Sequence, residues 1–238
     1  MIQRQLAQLI FLSFLSLPLS AFELAALSIY IDRSSSENFE TARQQNFIPI
    51  ELEELTAGIQ AQTFWLKISF YEPPKEKYFL SSCFIGADYL DAFLPQRSGW
   101  QHLQTGDQRN YSQRQVDHPC YVFDLGEIDD SVVYIRSESI LLNRLPLSLQ
   151  THSQFWQSQW RKQLEFGFFL AFLLSMAIYN AFLFFITRDR TYGFYVGYLV
   201  MTTLFIGEMS GHNKTYLWPD SQHWTDSLPL VFASISLA

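Results

Sequence analysis

The sequence predicts an all-β sandwich followed by an α-helical membrane hairpin, and three observations carry the prediction. Residues 166–186 run through FGFFLAFLLSMAIYNAFLFFI without a charged side chain. After Arg188, Asp189 and Arg190 the chain turns apolar again as TYGFYVGYLVMTTLFIG. Ahead of both runs, short stretches alternate apolar with polar residues, the period of half-buried strands. A bilayer core about 30 Å thick needs roughly 20 helical residues, which the first run supplies. The overall hydrophobic content of 48% resembles that of a globular protein because it averages a polar half with an apolar one.

In chain order, Arg4 in a short polar start, an apolar core over residues 6–19 and Leu19-Ser20-Ala21 predict a signal peptide over residues 1–21. Leu19 is larger than the residue preferred at that place, which keeps an uncleaved anchor open as the alternative. If the segment is cleaved, residues 22–152 form an exported domain. Ser34-Ser35-Ser36-Glu37 has capping-box spacing and predicts a short helix over residues 38–44. Phe64, Leu66, Ile68 and Phe70 share one strand face, with Trp65, Lys67 and Ser69 on the other. Further strands are expected at residues 78–84, 89–95, 100–105, 121–125, 132–137 and 145–150, separated by turn signals such as Glu72-Pro73-Pro74 and Arg97-Ser98-Gly99. Short strands punctuated in this way imply a sandwich. In an exported domain Cys83 and Cys120 either pair or remain two buried thiols on different strands.

Residues 153–165 lack Gly and Pro and carry Trp156, Trp160 and Leu164 at a spacing of four, a stripe on one helical face. A juxtamembrane helix continuous with the first span is expected, its indoles at the interface and Arg161 and Lys162 reaching toward headgroups. Residues 166–187 are read as the first span, 191–209 as the second with Glu208 near its far end, 210–227 as an outer loop, and 228–238 as the start of a third span that stops about half a span short. Orientation rests mainly on the signal peptide, because Arg188 and Arg190 on the inner side are offset by Arg161 and Lys162 on the outer. Asn180, Gly193 and Gly197 are the expected packing positions within the membrane, the glycines by their small-x-x-x-small spacing.

A net charge of −7 argues against a nucleic-acid partner. Catalysis is not expected: no Gly-x-Ser-x-Gly, phosphate loop or His-Glu-x-x-His is present. The five histidines lack metal-ligand spacing and are read as solvated or hydrogen-bonded surface groups, with no metal and no cofactor implied. Asp88 with Asp91, and Asp129 with Asp130, are read as turn residues rather than a glycosidase pair.

Taken in order, YIDRSSSENFETARQQNFIPIE, TFWLKISFYEP, ADYLDAFLPQRSGWQHLQTGD, VYIRSESILLNRLPLSL and AIYNAFLFFITRDRTYGFYVGYLV resemble the bacterial seven-transmembrane receptors with diverse intracellular signalling modules (7TMR-DISM). The exported part resembles their second type of extracellular domain, a jelly roll similar to carbohydrate-binding modules. Phe64-Trp65-Leu66-Lys67 corresponds to the family's Phe/Val-Trp-Leu-Arg strand, with Lys67 departing from Arg, while Tyr179-Asn180 and Arg188-Asp189-Arg190-Thr191-Tyr192 match its first hairpin. The resemblance implies a bacterial inner-membrane receptor with its N-terminal domain in the periplasm. It also implies seven spans and a cytoplasmic output such as a diguanylate cyclase or histidine kinase. Any such enzymatic module would lie beyond residue 238, so the expected partners are the bilayer, the rest of a receptor bundle, a small-molecule ligand with carbohydrate among the candidates, and a second copy in a homodimer.

Three functions compete. In the leading one the sandwich binds a small ligand and biases helix packing, with Trp65, Trp100 and Arg136 as candidate contacts, since aromatic faces stack on sugar rings and an Arg fork binds carboxylate. The second is an adaptor that docks another envelope protein. The third, a tethered glycan hydrolase, follows from jelly-roll analogy alone.

Overall fold

The computed structural model describes residues 24–59, 62–71, 77–84, 86–126, 130–140 and 143–219. The predicted signal peptide, the Glu72-Pro73-Pro74 turn and the third-span segment lie outside these residues. Nine strands are described: β1 (Leu24–Ile31), β2 (Ile48–Pro49), β3 (Thr63–Phe70), β4 (Tyr78–Ser82), β5 (Tyr89–Gln96), β6 (Gly99–Thr105), β7 (Tyr121–Asp124), β8 (Val132–Glu138) and β9 (Leu147–Thr151). They form two sheets, ordered β2-β1-β3-β8-β5-β6 and β7-β4-β9, with every neighbouring pair antiparallel.

Period-two alternation explains the sandwich. Phe64, Leu66 and Ile68 of β3, Leu90, Ala92 and Leu94 of β5, and Val133 and Ile135 of β8 all point inward. There they meet Leu80, Phe123, Leu147 and Leu149 from the three-stranded sheet in one apolar cluster. Burial of that cluster away from water is the main force joining the two sheets.

Of two early elements, the first was not foreseen from the sequence and the second departed from its reading. Strand β1, with its weakly alternating LAALSIYI, pairs with β3 across a bulge between Leu24 and Ala26. Helix α1 (Phe39–Ala42) begins later than the capping-box spacing suggested: Asn38 is its cap and accepts from the Thr41 amide at 3.0 Å. The serines ahead of it instead fold around Asp32, whose carboxylate accepts from the amides of Ser34, Ser35 and Glu37 at 3.0, 2.9 and 3.0 Å. A buried carboxylate offering two oxygens outcompeted a serine hydroxyl for those amides. A second short helix, α2 (Leu52–Ala57), seats Leu55 in the core.

Strand β9 passes directly into helix α3 (His152–Thr187). Thr151 ends the strand and caps the helix in a capping box with Gln154. The helix has 36 residues, about 54 Å at 1.5 Å per residue, so the juxtamembrane stripe and first span are one rod. Arg188 closes it in the left-handed region, with φ 56°. Asp189 then caps helix α4 (Arg190–Met209), accepting from the Thr191 amide at 2.9 Å, and α5 (His212–Tyr216) follows Gly211. Among the described residues α3 is the one helix long and apolar enough to cross a membrane by length and composition.

Candidate functional site

The face of the six-stranded sheet turned away from the core carries a second layer of structure. Register places Trp65 opposite Arg136, Arg136 opposite Asp91, Tyr134 opposite Phe93, and Phe93 opposite His102. Helix α1 lies over this face and lowers Phe39 onto it: the ring stacks on Phe93 at 4.3 Å and meets Trp100 edge-on at 4.9 Å and Tyr134 at 5.6 Å. His102 stacks on Phe93 as well, at 4.4 Å. Burial pushes the Tyr134 hydroxyl pKa up.

At the edge of the aromatic layer sits Asp91, 3% exposed and surrounded by donors. Arg109 grips it with both guanidinium nitrogens, at 2.8 and 3.1 Å, and donates to the carbonyls of Thr105 and Leu90 at 2.8 and 3.3 Å. His102 Nε2 lies 3.0 Å from the same carboxylate, and Arg136 lies 3.6 Å away while pairing with Glu138. A carboxylate this buried is stable as an anion only with such company.

The three predicted contact residues therefore share one face. Trp65, however, is 1% exposed and lies beneath Phe39, so it offers no open face to a sugar ring. Trp100 is half-buried and reachable, and Arg136 is partly open at the rim with its charge already shared between two carboxylates. Sequence reasoning missed Phe39, His102 and Arg109, and misplaced Asp91, which stands on strand β5 rather than in a turn. The alternation Leu90, Ala92, Leu94 would have put Asp91 on the outer face. Among the described residues no group of three or more His, Cys, Asp or Glu side chains is arranged to hold a metal ion.

Cys83 and Cys120 are joined Sγ to Sγ, with Cα atoms 4.3 Å apart, tying the end of β4 to the start of β7. In the hairpin Asn180 is buried and donates to the Met176 carbonyl of its own helix at 2.8 Å. A Cβ on Gly193 would come within 3.2 Å of the Phe184 ring, a close helix approach, whereas Gly197 faces open space among the described residues. Glu208, near the far end of the second expected span, is buried and accepts from Asn213 Nδ2 at 3.2 Å.

Where sandwich meets helix, Phe155 of α3 is fully buried against Phe79 at 5.0 Å and His118 at 5.2 Å. Trp156, Trp160 and Leu164 are exposed on another side of the helix. His118 was expected at the surface but lies in this seam. Burial, together with the positive neighbours His212, Arg114 and Lys162, pushes its pKa down to about 4.

The β-sandwich passes without a linker into a helix long and apolar enough to cross a membrane, the layout of a membrane protein with a domain outside the bilayer. Comparison with known families agrees: the 7TMR-DISM extracellular 2 family matches residues 25–151, and the 7TM diverse intracellular signalling family matches residues 162–238. The chain belongs to the 7TMR-DISM family. No curated protein matches it.

Proposed function

We propose that the chain is the sensory part of a bacterial inner-membrane receptor, in which a periplasmic sandwich binds a small polar ligand and biases the packing of residues 166–187 and 191–209 as two spans. The observation that carries this reading is the unbroken passage of β9 into α3 with Phe155 seated in the sandwich. A helix gripped in this way follows the tilt of the domain, whereas a flexible tether would not. To signal, the ligand must bind one helix arrangement better than the other, since equal affinity shifts nothing.

The ligand surface is the outer face of the six-stranded sheet at the rim of the aromatic layer. Trp100 supplies a stacking face, and Arg136 and His102 supply donors for a hydroxyl or carboxylate. Trp65 supports them from beneath. A carbohydrate or sugar acid fits that combination of an aromatic plane beside charged donors.

Thermal unfolding of the whole chain in lipid nanodiscs, screened against sugars and organic acids, tests the proposal. A ligand at a hundred times its Kd stabilises by about 2.7 kcal/mol, and Trp100→Ala is expected to abolish that shift. If no compound raises the unfolding temperature while crosslinking captures an envelope protein on the sandwich, the adaptor reading replaces this one.

A further inference from the structure

The segment 106–120, between the end of β6 and the start of β7, touches both the outer sheet face and the outer ends of the helices. On the sheet side Arg109 sits on Asp91, and the amides of Asp107 and Gln108 donate to the carbonyls of Ala87 and Asp88 at 3.0 and 3.2 Å. On the helix side the Lys214 ammonium of α5 donates to the Asp107 carbonyl. At the far end of the segment His118 rests on Phe155 of α3.

We propose that this segment is a clasp that couples the outer sheet face to the hairpin. With Arg109 on Asp91 it holds α5, and disturbing that ion pair releases α5. Two attachments matter for a physical reason. A single connection through β9 and α3 could tilt the hairpin only as a unit, while a second hold on another helix lets the sandwich shift α3 and α4 relative to each other. The second hold reaches α4 because Asn213, beside Lys214, donates to the Leu204 carbonyl at 2.8 Å and to Glu208 at 3.2 Å. Gly207 makes room for it, since a Cβ there would overlap the Asn213 amide.

The contact is suited to switching because its central group is a lysine only 4% exposed. Burying an ammonium costs free energy that its hydrogen bonds must offset, and the alternative to the closed clasp is an open form in which Lys214 is rehydrated. A ligand whose carboxylate competes with Asp91 for Arg109 would bias the clasp toward that open form.

The inference rests on the sensor reading for its use by a ligand, but its coupling can be measured without one. Hydrogen exchange of the whole chain in nanodiscs is followed by mass spectrometry. Arg109→Gln, on the sheet side, is expected to speed exchange across residues 211–217 about tenfold, a coupling of ordinary allosteric size. Lys214→Met, on the helix side, is expected to speed exchange at Asp107 and Gln108 by a similar factor, because linkage is reciprocal. Amides of β3 and β8 report whether the sandwich remains folded, and if Arg109→Gln unfolds it, Lys214→Met decides alone. Acceleration confined to the mutated side overturns the clasp. Reciprocal acceleration with no ligand found would leave the clasp standing and remove the sensor reading. A bound ligand without reciprocity would do the opposite.

Discussion

Phe64 on β3 is 0% exposed, while Phe168 on α3 is 75% exposed. The two side chains are chemically identical, and the protein hides only one of them. In the sandwich, two sheets face each other and their alternating residues interlock, so the chain itself removes Phe64 from water. Along α3 the apolar side chains surround the helix, and Phe168, Phe172, Leu174, Ile178 and Phe182 all project away from the protein. A surface of this kind is stable where the surroundings are as apolar as the side chains. One region makes its own apolar interior, and the other depends on the bilayer for it.

The largest expected effect separates the two directly. Phe64→Ala should destabilise the sandwich by about 3–5 kcal/mol, from lost transfer free energy and a cavity its neighbours cannot fill. Phe168→Ala should change stability in nanodiscs by roughly 0.5 kcal/mol or less. Unfolding of the whole chain, read by circular dichroism, measures both. Equal losses would mean that Phe168 is packed against protein in the membrane.

The converse substitution tests the hairpin. Leu174→Arg places a charge midway along the exposed run and should cost about 2.5–3.5 kcal/mol of insertion if that run lies in lipid. Insertion of the segment by a translocon, scored by glycosylation of flanking sites, reads this cost. An exposed sandwich position such as Gln104 should tolerate Arg with almost no change.

The Cys83–Cys120 bridge belongs to the sandwich alone. It closes a separation of 37 residues, and its removal by Cys83→Ser with Cys120→Ser is expected to cost about 2–4 kcal/mol. Gel mobility of the oxidised and reduced chain should differ accordingly. Quantitative labelling of both thiols in protein isolated under oxidising conditions would contradict the bond.

His118 lies where the two regions touch. Its folded pKa of about 4 is below the ordinary histidine value, so between roughly pH 6.5 and 4 the unfolded chain binds more protons than the folded one. The stability contributed by this buried neutral ring is present above pH 6.5 and lost as the pH falls toward 4. The loss is on the order of 3 kcal/mol. His118→Gln should flatten that part of the pH profile, measured by denaturant midpoint, and an unchanged profile would mean the ring is solvated.

The parts of this architecture that were legible in the sequence depend on local period. Alternation over a few residues revealed β3, β5, β6 and β8, and a charge-free run revealed the membrane helix, because each pattern is contained in the segment that forms the element. The candidate site was only half legible. Alternation put Trp65, Trp100 and Arg136 on recognisable strands, but it could not show that Phe39 would lie over Trp65. Asp91 and Arg109 are 18 positions apart, and Lys214 and Asp107 are separated by 107. Such pairs are set by tertiary packing, for which one sequence carries no periodic trace. Asp32 is instructive in another way: its rivals for the local amides were visible, but their outcome turned on burial, which was not.

The smallest effect concerns the joint itself. Thr151 belongs to β9 by its pairing with Tyr78 and to α3 by its cap, its hydroxyl accepting from the Gln154 amide at 3.4 Å while its own amide donates to Gln154 Oε1 at 3.2 Å. Thr151→Ala should cost about 1 kcal/mol, the ordinary value of an N-cap. That figure is small beside the buried seat of Phe155, which would continue to hold the helix against the sandwich. The expected result is faster amide exchange in the first turn of α3, with β4 and the rest of α3 unaffected. If exchange instead rises along the whole helix to Thr187, the cap rather than the Phe155 seat is what joins the region that buries its own side chains to the region that leaves them to lipid.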